Sequence, residues 1–252
     1  RQDSGNIAFG VEGPEGRRFI KYAGAPTLRC PDDPARAVAR LRAAAQPYRD
    51  LRHPHLVHLR QEGAVGAGYA LVFDWVAGES LYAYWDAQAH PNYPHPQPPR
   101  ERYRSLPLRK RLDGIGTLLE VHMAVERAGY VAIDLYDGSL IYDFDTDTMT
   151  LCDIDFYAPA PVTNTMGRMW GSSRFMSPEE FTLGATVDAV SNVFTLGAMA
   201  FAFLGGGLDR DRALWEAGDA LYAVMLRAVS PERAERYPSV AALAEAFSRA
   251  RA

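Results

Sequence analysis

The sequence predicts an α+β fold in two parts: an antiparallel β small lobe carrying one helix, then a mainly helical large lobe. Three observations predict it. Over residues 1–75, short apolar runs are separated by Gly-rich turns, with a single stretch of helical spacing among them. From residue 108 the apolar spacing turns helical, interrupted by strand-like pieces between 130 and 156. The two regimes meet near 76–80, which divides one domain into a small lobe (1–75), a connection (76–80) and a large lobe (81–252).

Taken in order, residues 6–11 and 18–23 flank the turn GPEG and read as a hairpin. Residues 33–51 place Val38, Leu41, Ala45 and Tyr48 at helical spacing. Asp32 or Asp33 serves as the cap, Pro34 falls in the first turn, and Pro47 should kink or end the helix early. Residues 55–59 and 69–76, separated by GAVGAG, suggest a second hairpin. The Pro-rich stretch HPNYPHPQPPRERYRSLP, residues 90–107, reads as a surface loop. Residues 108–128 form an amphipathic helix with Leu112, Ile115, Leu119, Met123 and Ala124 along one stripe. Short strands are expected at 130–143 and 148–156 around the turn FDTDT, and helices at 187–204, 209–229 and 239–252.

The chain is 48% hydrophobic and 23% charged, which supports an ordinary core and excludes a disordered segment of this length. Its net charge of −4 and the lack of a long basic run argue against nucleic acid or an anionic membrane as the partner. No apolar run approaches the roughly 18 residues of a membrane span, and the opening RQDSGN does not read as a signal peptide. The two cysteines, Cys30 and Cys152, have no ligand-like spacing and fit a reducing compartment, so the cytoplasm is the expected location. The histidines, mostly at His53, His55 and in the Pro-rich stretch, make no metal spacing either.

Three charged residues carry a possible chemistry. Lys21 ends the strand-like Phe19-Ile20-Lys21, Asp134 follows a strand start, and Asp153 follows Thr150-Leu151-Cys152. Phosphoryl transfer from ATP needs such a set: a cation for the phosphates, a carboxylate for the acceptor hydroxyl and a carboxylate for magnesium. Singly, each is an ordinary surface charge; their order and flanking segments give them weight.

With those segments the chain resembles the protein kinase family over nearly its whole length, which implies a protein kinase-like two-lobe fold. Phe19-Ile20-Lys21 is similar to the strand of the phosphate-binding lysine, and the segment from Arg52 to Val57 to the His-Pro turn after the small-lobe helix. Residues 72–78, VFDWVAG, resemble the hinge. The resemblance implies that Phe73 is the gatekeeper, that the backbone at Asp74 and Val76 meets adenine, and that Glu79 or Ser80 meets ribose. Asp134 to Ser139 stands where the catalytic loop is expected, and Asp153-Ile154-Asp155 where the magnesium motif is. GSSRFMSPEE, residues 171–180, is similar to the end of the activation segment, Asn192 to Gly197 to the central helix, and Arg236 to the arginine that pairs with Glu179.

The resemblance implies ATP with Mg2+ or Mn2+, Lys21 and Asp134 as catalytic residues, and Asp153, Ser139 and Asp155 as metal ligands. The acceptor is a hydroxyl on a protein or a small molecule. The departures are specific. Ser139 replaces an asparagine metal ligand, for which Asp137 or Asp155 can compensate, and Tyr136 replaces a catalytic lysine. Ala132-Ile133 replace His-Arg, so a phosphorylated activation segment lacks its usual arginine. Ala44 falls where a glutamate should pair with Lys21, with only Gln46 nearby, and Gly5 and Gly10 do not form the nucleotide glycine pattern. Glu179 with Arg236 reads as a structural ion pair, and Tyr136 and Trp170 as packing. Ser172, Ser173, Thr163 and Thr165 are phosphorylation candidates by position alone. Three functions remain open: a divergent serine/threonine protein kinase, favoured by GSSRFMSPEE; an antibiotic-type small-molecule kinase; and a pseudokinase scaffold that binds nucleotide without turnover.

Overall fold

The computed structural model describes residues 5–27, 33–83 and 93–251; Cys30 and Asp32, and residues 90–92 of the Pro-rich stretch, lie outside them. The N-terminal part is a four-stranded antiparallel sheet of β1 (Asn6–Gly13), β2 (Gly16–Ala23), β3 (Leu59–Val65) and β4 (Gly68–Asp74), in the order β1-β2-β4-β3. Helix α1 (Pro34–Asp50) packs on it through Ala37, Leu41, Ala44, Ala45 and Tyr48. Asp33 caps α1, its Oδ1 accepting from Ala35 N–H at 2.9 Å. The helix nevertheless continues through Pro47 to Asp50, with Pro47 O accepting from Leu51 N at the C-cap, and loses the one backbone bond that a proline cannot donate.

The second hairpin is set differently from expectation. Its turn is Gly66-Ala67, so much of GAVGAG lies within β3 and β4. Residues 55–57 instead pair with the far lobe: His55 O accepts from Leu151 N at 2.8 Å and Val57 N donates to Leu151 O at 2.9 Å. That junction ties the small lobe to the chain two residues before Asp153.

After β5 (Glu79–Ser80), the Pro-rich stretch ends in a short helix, α2 (Pro99–Arg104), rather than loop throughout; Pro99 at its first turn is compatible with helix. Helix α3 (Leu108–Arg127) buries Leu112, Ile115 and Leu119 of the predicted stripe, but Met123 and Ala124 are only half-buried, and Leu118, Val121, His122 and Val125 are buried beside it. Strand β6 (Tyr130–Val131) leads into the Asp134 loop, and the hairpin β7 (Leu140–Asp143) and β8 (Thr148–Leu151) follows, with β5 on the far side of β7. Next come β9 (Ala158–Pro159), paired with β6, and the pair β10 (Val162–Thr163) and β11 (Thr186–Val187). Helix α4 (Ala189–Leu204) is buried almost all round and is the axis of the helical part, with α5 (Gly218–Ala228) and α6 (Val240–Arg251) against it. The helix expected over 209–229 is only α5 plus one 3-10 turn at Arg212–Leu214. Gly218 at φ +78° and Trp215, packed on Phe201 at 4.9 Å, break the continuity. An antiparallel N-terminal sheet with one helix and a mainly helical C-terminal part make the two-lobe kinase-like fold. Among the described residues no helix is long and apolar enough to cross a membrane.

Candidate active site

Lys21 lies in the sheet interior, opposite Ala8 on one side and Leu71 on the other, and its residue is only 9% exposed. A buried ammonium must be paired. Its Nζ donates to Asp155 Oδ1 at 2.7 Å, to Asp153 Oδ1 at 2.9 Å and to Tyr48 Oη at 3.3 Å. Burial alone would lower the Lys21 pKa, but the Asp153 and Asp155 carboxylates outweigh it and hold it well above the usual lysine range. The two acids diverge. For Asp153 burial opposes ionisation but Lys21 prevails, and its pKa falls; for Asp155 burial, reinforced by Asp153, prevails and raises it. Asp153 also keeps 41% of its side chain exposed, against 15% for Asp155.

Asp153 opens into a cleft of about 290 Å³ between the lobes. Phe19, Val57, Phe73, Trp75, Val76, Ile141 and Cys152 give it an apolar lining, to which Lys21 and Asp153 add the charge. The expected gatekeeper, Phe73, is buried and packs edge-on against Tyr48 at 4.8 Å. The Asp74 carboxylate turns away to Arg60 (2.7 Å) and His58 (3.1 Å), and its N–H donates to His58 O. Asp74 and Val76 both line the cleft. Glu79 differs from expectation: it is not among the lining residues, and its carboxylate is held by Arg102 at 2.7 Å and by Tyr93. A ribose hydroxyl would have to compete with both.

Asp134 sits at φ +61°, a left-handed backbone that an aspartate tolerates at some cost and that holds only when the surroundings enforce it. The enforcement is visible one residue pair upstream. Asn192 of α4 accepts from Ala132 N–H at 2.9 Å and donates to Ala132 O at 2.8 Å. A carboxylate could only accept; an amide grips both backbone groups of the same residue. Tyr136 lies against Gly138, where an added Cβ would come within 2.3 Å of its ring and would have to displace it.

Asp137 is engaged by arginines. It is fully buried and takes a bidentate grip from Arg174, both contacts 2.7 Å, with Arg100 Nε at 3.5 Å. Arg174 belongs to GSSRFMSPEE, so this pair fastens the 171–180 segment to the loop that follows Asp134. Further along, Ser177 and Glu180 close a capping box, with Ser177 N and Oγ both on Glu180 Oε2 at 2.7 and 2.8 Å. The expected pair forms as well: Glu179 meets Arg236 at 2.8 and 3.1 Å.

A magnesium ion takes oxygen ligands and keeps several from water or phosphate. Two donors of that kind are present. Asp153 is the open carboxylate, and the Ser139 hydroxyl is buried with no hydrogen-bond partner. They are neighbours, since Ser139 O accepts from Cys152 N at 2.8 Å. The donor set fits such an ion.

Lys21, Asp153 and Asp155 are therefore brought together, Phe73, Asp74 and Val76 line the same cleft, and Glu79 is drawn off. Sequence reasoning missed Tyr48, read there as a core residue, and Arg174. For Tyr48 a signal existed: it follows Ala44 by one helical turn and shares its face. For Lys21 a stronger signal was available, because the chain has 27 basic residues and only Lys21 and Lys110 are lysines.

No family model matches the chain. It is similar to a serine/threonine-protein kinase, pkn2, of Myxococcus xanthus: 27% identical over 179 residues, which cover 69% of this chain and 20% of that protein. The similarity supports a kinase-like relationship, and the chain spans about a fifth of its relative's length.

Proposed function

We propose that this chain is an ATP-dependent phosphotransferase, a divergent serine/threonine protein kinase that moves the γ-phosphoryl group to a protein hydroxyl. The observation that carries the reading is the cleft itself. It is lined by residues 73–76 and Gly78 together with a buried lysine beside a half-open carboxylate. The similarity to a serine/threonine-protein kinase supports the same class.

In this reading adenine lies between Phe19 and Ile141, against the Asp74 and Val76 backbone. Lys21 directs its ammonium at the phosphates. Asp153 and Ser139 would hold magnesium, which supplies positive charge against the phosphoryl oxygens when bound. Asp134 accepts a hydrogen bond from the acceptor hydroxyl and orients it for in-line attack. Tyr136 brings no charge where a lysine would, so the transition state has one cation fewer and turnover is correspondingly slow. The Ser177–Glu180 box and the Glu179–Arg236 pair favour a protein acceptor over an antibiotic-type one, because they hold the segment that faces a peptide in protein kinases.

A second reading, the nucleotide-binding pseudokinase, is favoured by one observation: the Lys21 ammonium is already engaged by Asp153, Asp155 and Tyr48. The test is incubation with γ-labelled ATP and Mg2+ or Mn2+, alone and with protein acceptors, beside Asp134→Asn and Asp153→Asn. Label on serine or threonine that both substitutions remove supports the kinase. Metal-dependent nucleotide binding with no transfer supports the pseudokinase, and no nucleotide binding rejects both.

A further inference from the structure

Helix α1 offers Lys21 no carboxylate. Ala44 is buried and apolar, and Gln46 faces outward, bonded to Asp50 at 2.8 and 2.9 Å and to Arg49 at 2.7 Å. One turn past Ala44, on the same face, Tyr48 reaches the lysine instead. Its hydroxyl accepts from Ile154 N–H at 3.1 Å and from Lys21 Nζ at 3.3 Å, and donates to Asp155 Oδ1 at 2.7 Å. That uses the one donor and both acceptor positions of a phenol.

Asp155 and Asp153 do different things to the same ammonium. Asp153 lines the cleft; Asp155 does not, and is the more enclosed of the two. A carboxylate on α1 in addition would put three acids around one ammonium, with mutual repulsion in a buried place. An acid at 155 and none at 44 are thus two halves of one rearrangement.

We propose that Asp155, braced by Tyr48, is the positioning residue for Lys21, replacing a helix carboxylate, and is not a ligand of the metal. This rests on the phosphotransferase reading for its purpose, though not for its geometry. The consequence is mechanical. The lysine is aimed by the same three-residue segment that carries Asp153, and α1 is tied to that segment by the Tyr48–Ile154 bond, so the alignment does not depend on a swing of the helix.

The chain's two lysines make the test clean. Acylation of Lys21 by an amine-reactive ester is followed by mass spectrometry in metal-free and nucleotide-free full chain, with Lys110, half-buried and paired with Asp147 at 2.7 Å, as internal reference. Asp155→Gly and the milder Asp155→Asn should each speed Lys21 acylation severalfold relative to Lys110, and Tyr48→Phe should do so less. In transfer assays the same variants should raise the KM for ATP and lower kcat with an unchanged magnesium requirement. Adding Ala44→Glu to Asp155→Gly should restore both protection and KM towards the parent. The proposal is overturned if the Asp155 variants leave Lys21 protection as in the parent, or if their defect is cured by more magnesium. If the parent neither binds nor uses ATP while Lys21 protection still follows residue 155, the positioning stands and the phosphotransferase reading falls.

Discussion

Two buried ion-pair clusters, one around Lys21 and one around Glu179 and Arg236, are built from similar parts and left in different states. At the base of the large lobe every valence is used. The Arg236 side chain is 0% exposed, and its five N–H donors meet Glu179 twice, Ser230 O, Pro231 O and Val190 O. Glu179 also accepts from Ser191 at 2.7 Å and Arg233 at 3.1 Å. Between the lobes, Lys21 and Asp155 are nearly as enclosed, but Asp153 keeps 41% of its side chain open to a cleft. A saturated cluster can only hold the fold together; an unsaturated one has a charge left over for a ligand. The difference separates a structural ion pair from a candidate catalytic one where residue type alone does not.

The comparison can be broken or sharpened by substitution. The largest effect belongs to the saturated cluster: Arg236→Ala leaves a buried carboxylate with only Ser191 and the partly exposed Arg233 and should cost about 3–5 kcal/mol in urea unfolding. A stable Arg236→Ala chain would mean that the cluster is not saturated as described.

Next comes His122, behind the Asp153 segment. It is buried, with Nδ1 2.7 Å from Leu118 O and Nε2 2.8 Å from the Tyr157 hydroxyl, and burial pushes its pKa down to about 4. Unfolded, it takes up a proton near pH 6.5, so between there and pH 4 the unfolded chain binds more protons. Stability present above pH 6.5 is therefore lost as pH falls, by about 3 kcal/mol at most. Glu180, which burial raises to about 7, works the other way in part of that window. The parent and His122→Gln should thus be compared by urea midpoint at each pH, the variant showing the shallower acid slope.

A smaller loss, about 2 kcal/mol, is expected for Arg174→Gln, which leaves Asp137 only the more distant Arg100. Limited proteolysis within 156–176 should quicken, and transfer should fall with it. The smallest change in stability belongs to Asp153→Asn, less than about 1 kcal/mol because that carboxylate is half open to solvent. If its thermal unfolding matches the parent while nucleotide-dependent stabilisation by Mg2+ disappears, the contrast between the clusters is sharpened; a large loss of stability would make both clusters structural.

Local pattern made much of this molecule legible. The β1–β2 hairpin shows in its turn, α3 and α4 in their apolar spacing, and Lys21, Asp134 and Asp153 in their order along the chain. What misled was also local. His55 to Leu59 looks like a hairpin strand by composition, yet the backbone of His55 and Val57 is taken by Leu151 in the other lobe, and only His58 and Leu59 meet β4. Tyr48 looks like a core aromatic, and its ring is one, but its hydroxyl is the hub of the lysine cluster. Asp137 and Glu79 look like available acids until Arg174 and Arg102 are found on them.

By itself the sequence determined the two-lobe α+β architecture and the residue types at the cleft, since periodicity, turns and caps depend on neighbours a few positions away. Only the tertiary structure decided which acid pairs with which base, which carboxylate stays open, and that the helix reaches the lysine with a phenol. Those outcomes depend on burial and on partners up to 134 positions apart in the chain, and no local spacing encodes the energy of removing a charge from water.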